Sequence, residues 1–260
     1  MNARRWSTWA GRNIGWFRLR LAVGDSDRGL AAADGDLPCT ARVHRAECFF
    51  FSRDVAESFL MSFATTDLEE LPPAIWRDLA AAAADPASPF RTPVLGTTNL
   101  FECSMRVVVL RHADAAKREL VCYSDARAQK VHQLKLCEQG HWLFYDPARR
   151  LQLRVSAHTM VHQNDAIARA HWAKTPLSQR RNYCANQPPG SDIHAPGDAI
   201  APALKSSKVT AKELEPGYEN FAVLVSTVDQ IEWLQLGDTG HVRAVFNWTV
   251  VKWSGLWLVP

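Results

Sequence analysis

After about residue 60 the chain runs as short apolar stretches broken by turn residues, and helical periodicity is confined to three places. The first is residues 68–85, where Pro72 and Pro73 suit a first turn and Ile75, Trp76, Leu79 and Ala82/Ala83 follow at helical spacing. The second is 126–137, with Val131, Leu134 and Cys137 at helical spacing and Ser124 or Asp125 as the expected N-cap. The third ends at Lys174 and takes Asn164 or Asp165 as its cap. Strands are expected at 93–100, 105–111, 119–124, 142–145 and 151–162, then at 219–226, 228–236, 241–251 and within 253–260. Turn chemistry separates several of them, at Asp146-Pro147-Ala148-Arg149, Gly237-Asp238 and Trp253-Ser254-Gly255. Residues 186–212, dense in Pro, Gly and Ser, read as a flexible loop. Many strands, few helices and short connections predict a β-rich α+β chain, an antiparallel barrel with flanking helices rather than a doubly wound sheet.

Residues 105–130 stand out. Arg106 and Arg111 bracket Val107-Val108-Val109-Leu110, a run that predicts a strand buried on both faces. A second strand then leads into a helix start carrying Arg127 and Lys130. Cations beside a helix N-terminus, where free N–H groups already favour anions, make a phosphate site. Basic residues at strand ends are also often only solvated charge, and the residues alone leave both readings open.

Composition narrows the choices. The 260 residues are 47% hydrophobic and 22% charged, ordinary for a soluble globular protein, with a formal charge of +3. That balance, without aromatics interleaved among the cations, argues against a nucleic-acid binder. Six scattered cysteines with no CxxC pair give neither a zinc site nor a secreted disulfide framework, so reduced thiols and a cytoplasmic location are expected. His158 and His162 lack a third ligand, and no metal site is expected. Arg180 and Arg181 read as solvated charge or as contacts to a partner's phosphate.

The first twenty residues carry Arg4, Arg5, Arg12, Arg18 and Arg20 with no acid, and the arginines break any apolar core a signal peptide would need. A transit peptide and a membrane-surface helix are alternatives. The preferred reading is that 1–60 is an extension without a folded role, with Met61 opening a domain over 61–260. Low order is expected there, and strong amide protection of residues 1–50 in hydrogen exchange would contradict it.

The 105–130 stretch resembles the cofactor core of the pyridoxamine 5′-phosphate oxidase-like family, the FMN-binding split barrels. The resemblance rests on Arg106-Val-Val-Val-Leu-Arg111, Tyr123-Ser124 and Arg127-Ala-Gln-Lys130. It continues in Arg150-Leu151-Gln152 and in a tail with Gly240-His241-Val242-Arg243. The resemblance implies a split barrel, a homodimer with FMN at its interface, and a small-molecule substrate. It assigns cofactor binding to Arg106, Val107, Val108, Val109, Leu110, Arg111, Tyr123, Ser124, Arg127, Gln129, Lys130, Gln152 and Arg243. Arg111 and His241 are its substrate contacts. FMN would bring a doubly anionic phosphate, which guanidinium forks bind bidentately, and a ring whose polar edge takes backbone N–H groups and an amide. Hydride chemistry would belong to the flavin, so no catalytic side chain is named.

The departures matter. Where the family's oxidase places two arginines on its substrate's phosphate, this chain has Thr175 and Thr239. Ala128-Gln129 stands where the oxidase has Ser-Arg. The expectation is therefore an FMN-dependent oxidoreductase acting on something other than pyridoxamine phosphate. The alternative is a non-catalytic flavin carrier or sensor. Neither nucleic acid nor membrane is expected as a partner.

Overall fold

The computed structural model describes residues 67–99 and 102–260. The expectations for residues 1–60 lie outside the described residues. Helix α1 (Leu71–Ala84) opens the described chain, with prolines in its first turn as its sequence predicts. It buries Leu71, Ile75, Trp76, Leu79 and Ala82, each large one contributing about 1.5–3 kcal/mol of transfer free energy. Strands β1 (Val94–Thr98), β2 (Cys103–Val107), β3 (His112–Asp114) and β4 (Glu119–Asp125) follow, then α2 (Gln129–Leu136). Next come β5 (Gln139–Asp146), β6 (Leu151–His162) and α3 (Ala166–Lys174). Strands β7 (Phe221–Gln235), β8 (Val242–Trp248) and β9 (Trp253–Leu258) complete the sheet.

All pairings are antiparallel, in the order β2-β1-β5-β6-β7-β4-β3, with β8 and β9 continuing from β7. β7 is the hinge of this topology. Residues 221–227 pair with β4, whereas 230–235 pair with β8. The register against β6 shifts between Ser156 and Ala157, so Asp229 is an extra residue, and this bulge marks the changeover. The sequence suggests two strands here; one 15-residue strand serving two neighbours replaces them. The strand ladder stays open, so a closed barrel is not formed by pairing among the described residues.

The expected strand at 105–111, buried on both faces, is corrected. β2 ends at Val107 and is an edge strand, with Met105 74% and Val107 64% exposed. Among the described residues only β1 pairs with it, so its other edge has no strand neighbour there. Residues 108–111 instead bridge the two ends of the sheet. The N–H groups of Val108 and Leu110 donate to Pro93 O and Arg91 O, while that of Arg111 donates to Val121 O on β4. Burial on both faces belongs to β4. Leu120 and Cys122 face the main core, and Val121 faces a second core under α3 with Trp172, Phe221 and Val223.

Caps settle two local choices. Asp165 caps α3, its carboxylate accepting the Ala168 N–H at 2.7 Å, while Asn164 adopts φ 57°. Neither Ser124 nor Asp125 caps α2; Ala128 does, with no side-chain acceptor. The turn after β5 forms as expected, with Asp146 accepting from the N–H groups of Ala148 and Arg149. Arg149 then ties that turn to α1 through Asp78 at 2.5 Å. The loop 186–212 holds a turn of 3-10 helix at Pro202–Lys205 and a short helix, Ala211–Leu214, closed by a Thr210/Glu213 capping box. No helix among the described residues is long and apolar enough to cross a membrane.

Candidate functional site

Arg106 and Lys130 meet where β2, β4 and α2 converge. Register places Arg106 opposite buried Leu95, and its Nη1 donates to Leu95 O at 3.2 Å and Thr97 Oγ1 at 2.6 Å. Lys130, in the first turn of α2, donates through Nζ to buried Ser124 Oγ at 3.2 Å. Burial holds both cations below their ordinary pKa, and the Arg106 guanidinium pushes the Lys130 ammonium down further. Glu102 acts on Arg106, and Asp125 on Lys130, only as more distant charges, and neither cation forms an ion pair among the described residues. Ala128 brings no side chain to the α2 start, where the N–H groups of Gln129 and Lys130 have no backbone acceptor among the described residues. Two desolvated cations, a buried hydroxyl and an uncapped helix start are the donor set of a phosphate site, and so fit the phosphate of FMN.

On the opposite face of β4 lies a cleft of about 770 Å³, a size ordinary for small-molecule sites. Arg111, Tyr123, His162, His171 and Lys174 are among the residues that line it. The Arg111 guanidinium sits 5.2 Å from the centre of the Tyr123 ring, and its buried Nε has no partner among the described residues. Tyr123 OH and His171 Nδ1 lie 2.9 Å apart. Burial raises the Tyr123 pKa and, together with nearby Lys174, lowers that of His171.

The remaining sequence-predicted residues divide. Arg127 is spent inside the fold: its Nε and Nη2 fork onto Asp125 at 3.0 and 2.7 Å, and Nη1 donates to Ala185 O. Gln129 turns outward to Glu102. Within 107–110, the N–H groups of Val108 and Leu110 are committed internally, and that of Val109 has no backbone acceptor among the described residues. Gln152, on β6, stands beside Tyr145 and Leu234 on the outer face of the sheet. Arg243 is its neighbour across Leu234 and pairs with Glu232 at 3.0 Å, its buried Nε having no partner among the described residues. His241 is exposed and accepts the Gly237 N–H at its Nδ1. Gln152, Arg243 and His241 make no hydrogen bond or ion pair with the Arg106–Lys130 corner among the described residues.

Sequence reasoning passed over Thr97, Gln133 and His171. Thr97 and Gln133 are buried polar residues, and a glutamine one position before Leu134 on the buried side of a helix is a signal that could have found one of them.

Residues 73–163 match the family described as pyridoxamine 5′-phosphate oxidase, FMN-binding domain. No curated protein matches the chain by sequence. Among solved structures, a pyridoxamine 5′-phosphate oxidase-related, FMN-binding protein from Nostoc punctiforme superposes with a TM-score of 0.56 at 18% identity, covering 75% of this chain and 100% of that one. PhzG from Burkholderia lata, solved with tetrahydrophenazine-1-carboxylic acid, gives 0.55 at 14% identity, covering 75% and 94%. At such identities these structures speak to the fold. Residues 73–163 thus resemble the FMN-binding domain of the pyridoxamine 5′-phosphate oxidase family, and the fold of the described chain is shared with FMN-binding relatives of that oxidase.

Proposed function

We propose that the chain binds FMN by its phosphate at Arg106, Lys130, Ser124 and the start of α2, and acts as an oxidoreductase on a small substrate held in the cleft beside Arg111. The observation that carries this is the Arg106–Lys130 pair. Two half-buried like charges that no carboxylate pairs among the described residues repel each other, and an anion between them relieves that. When bound, FMN supplies the capacity to accept a hydride. The protein's own part is to neutralise the phosphate, orient the ring near the Val109 N–H, and present Arg111 and Tyr123 to the substrate.

The reading includes a homodimer. Gln152, Arg243 and His241 sit apart from the phosphate corner, and a second copy would supply them to it. The exposed apolar residues Met105, Val107, Leu143 and Tyr145 support a covered outer face. Sedimentation of the purified chain tests this, with a monomer at micromolar concentration as the refuting result. Free cysteines at positions 103, 122, 137 and 184 support a reducing, cytoplasmic setting.

A non-catalytic flavin carrier is favoured by one observation. Thr175, at a position where the oxidase has a substrate-gripping arginine, is buried with its hydroxyl given to His171 O, so that position itself offers a substrate no cation. Absorption spectroscopy with FMN titration, followed by turnover with an electron donor and acceptor, separates the readings. Stoichiometric FMN with turnover supports the enzyme, and FMN without turnover supports the carrier. A chain that neither carries nor takes up FMN refutes both.

A further inference from the structure

Behind Arg106 lies a chain of polar side chains buried more deeply than Arg106 itself. Thr97 is 1% exposed and Gln133 is 2% exposed. Arg106 Nη1 donates to Thr97 Oγ1 at 2.6 Å, and Thr97 Oγ1 donates to Gln133 Oε1 at 2.6 Å. The direction is forced. A guanidinium can only donate, so the threonine oxygen accepts from it and must send its own proton onward. That fixes Gln133 with Oε1 toward Thr97 and Nε2 toward Ser104 Oγ at 3.4 Å. A flipped amide would leave the Thr97 proton with no acceptor. Valine and leucine would fill these positions at comparable volume without the desolvation cost of a hydroxyl and an amide, so packing does not explain them.

We infer that Thr97 and Gln133 are positioning residues that hold the Arg106 guanidinium toward the phosphate corner, and thereby set the discrimination between FMN and flavin lacking the phosphate. Nη1 takes both anchors, Leu95 O and Thr97 Oγ1. Nη2 and Nε form no hydrogen bond among the described residues, which leaves them for a phosphate. A long side chain with several rotamers is thus ordered before the ligand arrives, and the ordering entropy is not charged to binding. The chain of hydrogen bonds also links β1, β2 and α2, the three elements that frame the corner. This inference rests on the FMN reading above.

The test uses the full chain and two ligands, FMN and riboflavin, with affinities read from quenching of flavin fluorescence. Thr97→Val keeps shape and removes the hydroxyl. It should weaken FMN binding by about tenfold, the scale of one hydrogen bond to a charged group, while riboflavin affinity stays within about twofold. Thr97→Ser restores the hydroxyl and should bind FMN within about twofold of wild type. Gln133→Met, which keeps length but loses the acceptor, should shift FMN in the same direction as Thr97→Val and leave riboflavin alone. A merely structural role would lower both affinities together, and that outcome overturns the inference. So does an unchanged FMN affinity in Thr97→Val or in Gln133→Met. If the wild type binds neither flavin, the cofactor reading fails and takes the inference with it. If the wild type binds FMN and the variants behave like it, only the inference fails.

Discussion

Lys130→Met should make the protein more stable without FMN and less stable with it. The substitution keeps an unbranched chain of similar reach and deletes the ammonium. In the ligand-free fold that ammonium is desolvated, lies near Arg106 and forms no ion pair among the described residues. Removing it relieves on the order of 1 kcal/mol after allowance for solvent screening, with the long Ser124 hydrogen bond a small offset. For a domain of this size that is a rise of about 2–4 °C in melting temperature. In the complex the same substitution deletes a charge-assisted contact to phosphate worth about 2 kcal/mol, which weakens FMN about 30-fold. With FMN at about 100 times the wild-type Kd, ligand stabilises wild type by about 2.7 kcal/mol and the variant by about 0.9 kcal/mol. The variant is then about 1 kcal/mol more stable ligand-free and about 1 kcal/mol less stable ligand-bound, so the order reverses. Thermal melts with and without FMN read this directly. The pH dependence has a defined sign. A lysine depressed in the fold costs stability fully below its folded pKa, and the cost fades as pH rises toward the ordinary 10.5, so the ligand-free gap narrows on that side. A variant less stable in both states, or one binding FMN as tightly as wild type, refutes the reasoning.

Arg127→Ala should lower stability by about 1–2 kcal/mol in urea titration, because it breaks the fork to Asp125 and the bond to Ala185 O, yet leave FMN affinity within about threefold. A large loss of affinity with unchanged stability would return Arg127 to the phosphate site. Trp172→Ala empties the centre of the second core and strips Glu215 of its indole donor, so a loss of about 3–5 kcal/mol is expected in the same assay. Burial holds His171 below its ordinary 6.5, so the fold disfavours its protonated form; its contribution is intact above 6.5 and lost as pH falls through the depressed value. His171→Gln should therefore flatten the decline in urea midpoint below pH 6.5, and an unchanged slope would count against it.

Hydrophobic period, turn residues and caps determined the three helices and most of the strands. Those signals are local: Pro72 and Pro73 at a first turn, Asp165 before Ala166, and Asp146 accepting the N–H groups two and three residues on. The motif along 105–130 was equally local: its resemblance grouped Arg106, Arg127, Lys130, Tyr123 and Ser124, of which the fold brings Arg106, Ser124 and Lys130 to one corner. Tertiary structure decided what the pattern could not carry. An apolar run such as 107–110 looks the same whether it lies in a central strand or crosses between sheet edges, and only the neighbours of β2 made it the latter. Whether an arginine is available to a ligand depends on what folds against it. Arg127 met Asp125 and Ala185, whereas Arg106 met Thr97 and pairs with no acid among the described residues. Buried polar partners such as Thr97 and Gln133, 36 positions apart, come together only when β1 packs on α2, because no local period encodes a contact between distant elements.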